Sequence, residues 1–284
     1  MQIAVVGPGA IGSTFAFRLA RAGHDVTVVA RGGRLDQLRS DGAIVTTTGE
    51  RAPVGVGAEL DAATVWDLVL VTVLDSEVDV LLAALGRSAA ETVMFMFNTF
   101  RSLQKLRDAV GPQRFAFGFP AIMASLDRGK LSATIPRRGI TTTVTHAVWA
   151  KVFSDAGIPA TVQEDMQSWL RTHAALIVPL AVAGSSAHRR GRGISRDEAM
   201  RLARAMDEGF QLVRRLGDSL IPASVAILSW LPVPALAALL WTLTRLRLFT
   251  RTIASVPGDE PRILIDEMSA VGDGCTPALL AIRP

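Results

Sequence analysis

The chain has 284 residues, a formal net charge of +4 at pH 7, 20% charged residues and a single cysteine, Cys275. That length admits two domains of ordinary size, and that composition excludes a disordered or fibrous chain. One cysteine excludes an internal disulfide and points to a reducing, cytoplasmic setting, and four scattered histidines with no CxxC offer no structural metal site. The basic balance is a modest excess of arginine, which does not call for a nucleic-acid partner.

The opening "MQIAVVG" starts a strand at once, with no basic n-region ahead of an apolar run, so no signal peptide is expected. "IAVVG" (3–7) reads as a strand. "AIGSTFAFRLARAG" (10–23) reads as a helix ended by Gly23. "DVTVVAR" (25–31) is a second strand, and "AIVTTT" (43–48) with "APVGV" (52–56) reads as a hairpin excursion. "DLVLVTV" (67–73) and "TVMFMFN" (92–98) are apolar on both faces, as buried parallel strands are. "SEVDVLLAALGRS" (76–88) lies between them as a helix, and "FAFGF" (115–119) is a further strand. Alternation of this kind predicts a mainly parallel sheet with helices on both faces, an α/β Rossmann-like domain over 1–165.

After "GIPATV" (157–162) no strand pattern follows. Helices are expected near 165–189, 196–217, 220–230, 234–249 and 259–271, an all-α domain over 166–284. Ser195 and Glu198 form an S-x-x-E capping box. From Ser219 to Thr244 no residue is charged, and Arg245, Arg247 and Arg251 follow. That stretch is long enough to span a bilayer. Pro222, Pro232 and Pro234 interrupt it, so two short buried helices or a helix in a homodimer interface is the expectation, and no membrane span. "HRRGRG" (188–193) is either an anion patch or a solvated turn; charge runs usually face water, and no aromatic interleaving argues for RNA.

The chemistry-bearing motif is "GPGAIG", Gly7 to Gly12, placed between the first strand and the first helix. Gly7 allows the tight turn. Gly9 lets a pyrophosphate approach the backbone, and Gly12 lets helix and strand close-pack. The helix start at Ala10 and Ile11 offers free N–H groups and the positive end of a dipole. An NAD site usually ends its second strand with an acid. Here that strand ends at Arg31, followed by Arg34, and a guanidinium forks onto a 2′-phosphate, so NADP(H) is the expected cofactor.

"VVGPGAIG", Arg31, the "FN" pair ending at Asn98, "AGIPATVQEDMQSWLRTHAAL" and "CTPALLAI" resemble the ketopantoate reductases (2-dehydropantoate 2-reductases). The resemblance covers nearly the whole chain, and is weakest from about 185 to 255. It implies a Rossmann domain joined to a helical domain and NADPH-dependent reduction of a 2-keto acid, in one branch a step of pantothenate biosynthesis; the homodimer is expected from the apolar excess of 219–244 instead. It implies a cofactor path along Gly7, Gly9, Ala10, Ile11, Gly12, Arg31, Val73, Leu74 and Asn98. It makes Asn98, Arg171, His173 and Glu260 the catalytic candidates. The sequence also departs from the family. Thr99 stands where a glycine usually follows Asn98, and Leu74 stands where many members have a lysine. Arg171 replaces the family's proton-donating lysine, and Ala175 replaces its first asparagine. Arginine donates hydrogen bonds but yields a proton poorly. Arg171 therefore reads either as a carboxylate or phosphate contact or as a salt-bridge residue facing Glu164 or Asp165. His173 reads as a catalytic acid or a stacked core residue, and Glu260 as a site acid or a helix-dipole acid. The implied partner is a small-molecule carbonyl substrate. The alternative is a non-catalytic NADP(H)-binding sensor that has lost the catalytic lysine.

Overall fold

The computed structural model describes residues 1–136, 139, 141–253 and 259–284; of 248, 251 and 252 only the backbone is described. The side chain of Arg251 therefore lies outside the described residues. The chain divides into two compact units. The first holds 1–98 and 103–166, and the second holds 99–102 and 167–284.

The first unit is organised by its strands. In chain order these are β1 Gln2–Val6, β2 Asp25–Val29, β3 Ala43–Val45, β4 Arg51–Pro53, β5 Gly55–Gly57, β6 Leu68–Val71, β7 Val93–Met96, β8 Phe115–Phe119, β9 Met123–Asp127, β10 Lys130–Thr134, β11 Thr142–Val144 and β12 Ala160–Val162. Eight form one sheet in the order β12-β11-β8-β7-β6-β1-β2-β5. Every pairing is parallel except β8 with β11. All four residues of β6 and of β7 are buried, as parallel strands covered on both faces require. Phe95, Phe97, Phe115 and Phe117 pack ring on ring along β7 and β8, with Phe97 and Phe117 edge-on at 5.3 Å. Helix Ala10–Arg21 covers the sheet with Phe15, Ala16 and Leu19, and Phe15 meets Phe153 of helix Ala147–Asp155 at 5.0 Å.

Several local expectations need correction. The stretch 43–56 is a hairpin only as far as β4. β5 then leaves it and adds to β2 as a parallel edge strand. The expected helix 76–88 is three short pieces, Asp75–Val78, a 3-10 turn Asp79–Leu81 and Leu82–Arg87. The hairpin of β9 and β10, turning at Arg128 (φ 47°) and Gly129 (φ 78°), has polar, half-exposed strands with too weak an apolar signal to read beforehand.

Helices make up the second unit, with no strand among its described residues. Helix Met166–Arg190 and helix Arg196–Arg215 carry most of its core. The capping box forms as its spacing predicts, the Ser195 hydroxyl accepting from the Glu198 N–H at 3.1 Å. The Pro-interrupted stretch splits into helices Ala223–Leu228 and Val233–Leu243. These are not buried helices. The first buries no residue, the second buries only Leu236, Ala237 and Leu240, and Trp230 stays 76% exposed. Among the described residues no helix is long and apolar enough to cross a membrane.

Candidate functional site

The carboxyl ends of parallel strands are where open α/β sheets place their ligands. In the first unit β1, β2, β6 and β7 run parallel and end in register, Val6 beside Val29 and Val71, and Val71 beside Phe95. The residues just beyond those ends are Gly7, Arg31, Val73 with Leu74, and Asn98. The fold thus brings the sequence-predicted cofactor residues to one edge. β1 is flanked by β2 on one side and β6 on the other, so its following turn sits where the strand order reverses.

The turn itself demands glycine. Gly7 has φ +85°, and a Cβ there would fall 2.5 Å from Val73 Cγ1. A Cβ on Gly12 would fall 2.3 Å from Thr72 Oγ1 and 2.6 Å from the Gly7 carbonyl oxygen. Thr72 Oγ1 donates to that same Gly7 oxygen at 2.8 Å, which ties the turn to β6. Gly9 differs. A Cβ there would meet only the Gly7 oxygen, at 4.0 Å, so its outer face is open. Helix Ala10–Arg21 starts at Gly9 with no side-chain cap and no acid in its first turn. Its first N–H groups and dipole end therefore suit an anion. A pyrophosphate fits this cradle on backbone shape alone.

Two arginines follow β2, and they do different things. Arg34 is half-buried and engaged. Its Nε donates to the Pro8 oxygen (3.0 Å), its Nη2 to Ser13 Oγ (2.8 Å), and its Nη1 to Gln37 Oε1 (2.9 Å) and the Gly129 oxygen (2.9 Å). Ser13 Oγ also donates to Pro8 (2.9 Å), closing a network beneath the glycine turn. Burial holds the Arg34 guanidinium below the ordinary arginine value; it remains a cation. Arg34 was noted in the sequence only as a second cation; its role as a staple depends on a hairpin turn 95 residues away. Arg31 is exposed and begins helix Gly32–Asp41. Leu74 is 62% exposed and begins helix Asp75–Val78, and Asn98 is half-buried just past β7.

The remaining candidates lie in the second unit. Arg171, 8% exposed, donates from Nε to the Phe100 oxygen at 3.1 Å and pairs through Nη1 with Asp218 at 2.5 Å. Its Cζ lies 5.4 Å from the Phe100 ring centre. The acid that Arg171 meets is thus Asp218, not Glu164 or Asp165. Trp169 and His173 stack face to face at 5.1 Å with 3° between their planes. Burial pushes the His173 imidazole down to about 4, so it is neutral near pH 7. Ala175, where the resemblance implies an asparagine, is fully buried; a Cβ on Gly209 would lie 3.0 Å from Ala175 Cβ. That position is a close helix–helix contact with no room for an amide.

Glu260 stands half-exposed in the first turn of helix Glu260–Val271. Two turns on, Glu267 is 5% exposed and was missed. It accepts from the Phe100 N–H at 2.7 Å and from Thr99 Oγ1 at 3.1 Å. Its signal was there: Glu267 falls on the apolar face with Leu264, Ile265 and Met268. Together Glu267 and Arg171 hold Thr99 and Phe100, just after Asn98 in the chain.

Residues 3–142 match the family model for ketopantoate reductase PanE/ApbA. A 2-dehydropantoate 2-reductase from Vibrio cholerae is 30% identical over 141 residues, 48% of this chain and 42% of that protein, so the match spans under half the length of that relative. Among solved structures, a PanE/ApbA family ketopantoate reductase from Ralstonia eutropha superposes with a TM-score of 0.73 at 21% identity, over all of this chain and 96% of that one. A D-mandelate dehydrogenase in a ternary structure with NADH and anilino(oxo)acetate superposes at 0.67 and 14% identity, over all of this chain and 98% of that one. At such identities the two superpositions establish the fold. The sequence match and the glycine turn at the strand-order reversal agree that residues 3–142 of this chain are similar to the ketopantoate reductase PanE/ApbA family.

Proposed function

We propose that the protein is an NADPH-dependent reductase of a small 2-keto acid or related carbonyl compound. The observation that carries this reading is the glycine turn at the strand-order reversal, with exposed Arg31 in place of an acid after β2. When bound, the nicotinamide cofactor supplies the hydride. Gly9, Ala10 and Ile11 would hold its pyrophosphate, Val73 and Leu74 would flank it, and Arg31 would fork onto the 2′-phosphate. The D-mandelate dehydrogenase neighbour holds NADH with a 2-oxo acid derivative. That supports the substrate class, while Arg31 is the reason to expect NADPH here.

Among the catalytic candidates, Asn98 offers its amide at the sheet edge. Arg171, its charge already paired with Asp218, acts as a positioning residue through Phe100. Burial lowers the His173 imidazole to about 4, so the neutral form dominates near pH 7. The proton for the nascent hydroxyl therefore comes from water, and His173 serves as a neutral hydrogen-bonding partner. Glu260 is the acid to test beside them. The exposed apolar residues Ile227, Trp230, Leu231 and Leu239 support a homodimer through the helical unit. A monomer in sedimentation at micromolar concentration would count against that dimer.

The test is NADPH oxidation, followed by absorbance, with ketopantoate and a panel of 2-keto acids, while cofactor fluorescence reports binding in the same cuvette. Steady turnover is expected, with Glu260→Gln and His173→Gln assigning the two roles. Bound NADPH without turnover across the panel would overturn the reductase reading in favour of a cofactor-binding protein.

A further inference from the structure

The basic run at 188–193 is solvated, exposed from His188 to Arg192. Between residues 188 and 204 six arginines face only Asp197 and Glu198, so this corner of the helical unit carries a strong local positive field. Arg190, Arg192 and Arg245 line a cavity of about 470 Å³, together with Gly193, Ile194 and Ser195. Two of the three arginines are held in place. Arg190 Nη1 pairs with Glu198 at 2.7 Å. Arg245 stacks on the Trp241 ring at 3.4 Å and donates to the Ile194 oxygen at 3.4 Å. Gly193 makes that placement possible, since a Cβ there would fall 2.8 Å from both Cγ and Nη1 of Arg245. Arg192 is exposed and forms no ion pair among the described residues. Ser195 already caps the neighbouring helix, so side chains, not the helix end, supply the charge here.

We propose that this cavity is a second binding site, for a small molecule bearing a phosphate or diphosphate group. Guanidinium groups match phosphate oxygens bidentately and stay charged at every relevant pH. Glu198 offsets only one of the three lining charges, and a dianion neutralises the other two. Prior anchoring of Arg190 and Arg245 lowers the ordering cost of binding. The volume accommodates a small phosphorylated molecule and excludes a folded nucleic acid. The site is formed wholly within the helical unit and is independent of the glycine turn.

Inorganic pyrophosphate is the probe, titrated calorimetrically into the full chain at low and at raised salt. Three proteins are compared: the parent, the Arg190→Ala/Arg192→Ala double variant, and Gly9→Val, whose side chain covers the open face of the glycine turn expected to hold a pyrophosphate. Both double-variant positions are solvent-facing, and circular dichroism verifies that the fold survives. Gly9→Val is expected to keep the binding that the helical unit supplies, weaker as salt rises, and the double variant to bind at least tenfold more weakly than Gly9→Val. No saturable binding to the parent, or unchanged binding in the folded double variant, overturns the proposal.

Discussion

The glycine turn of the first unit and the Phe100–Arg171–Asp218 corner of the second are built on opposite principles. The turn is specified by missing side chains: Gly7 and Gly12 leave no room for a Cβ, and the groups offered to a ligand are backbone N–H. The corner is specified by side chains that consume one another. Arg171 is taken up by Asp218 and Phe100, Glu267 by Thr99 and Phe100, and Ala175 by the approach of Gly209. A backbone-built site survives sequence drift as long as its glycines remain. A side-chain-built site changes its chemistry with one substitution, and Arg171 and Ala175 are the positions where the resemblance implies such changes.

The sharpest way to break the comparison is at the corner. Asp218→Ala leaves Arg171 charged in a buried place, and a loss of about 3–5 kcal/mol is expected in urea unfolding. A loss below about 1 kcal/mol would show that solvent reaches Arg171 and that the corner is not side-chain-built.

Acid attacks the same region. The His173 value lies near 4 in the folded chain and near 6.5 when unfolded, so the unfolded chain binds more protons between those values. The neutral folded form is therefore fully favoured above about pH 6.5, and stability falls as pH drops towards 4, by up to ~3 kcal/mol. His173→Phe should flatten that slope. An unchanged slope would place the titration elsewhere.

At the turn the expected costs are smaller in stability and larger in binding. Gly12→Ala forces a Cβ against Thr72 and the Gly7 oxygen, at about 1–3 kcal/mol, with cofactor affinity falling more than tenfold. Arg34→Ala removes four hydrogen bonds and should cost roughly 1–3 kcal/mol, weakening NADPH and NADH by similar factors. Equal cofactor affinity in Arg34→Ala and the parent would show that the staple does not set the turn.

Much of the first unit could be read from the chain because its signals are local. Two-sided apolar strands, "GPGAIG" and Arg31 each sit within a few residues of the structure they dictate. The hairpin of β9 and β10 was not legible because its strands are polar and half-exposed, and the Arg34 staple and the joining of Thr99–Ser102 to the helical unit were not legible because their partners lie about 95 and 168 residues away. Arg171 and His173 looked like site residues because charge in an apolar helix is unusual. Asp218 and the stacked Trp169 explain their presence equally well; Trp169 is marked by the i, i+4 spacing, and Asp218 by none. Glu267 was legible from helical periodicity, but the family pattern drew attention to Glu260 instead.

The most direct test of the central claim is the pair of dissociation constants for NADPH and NADH, measured by fluorescence on the parent and on Arg31→Ala. The parent should bind NADPH at least tenfold more tightly than NADH, and the ratio should collapse towards one in Arg31→Ala with stability unchanged. A parent that prefers NADH, or a ratio that Arg31→Ala does not move, would contradict the account.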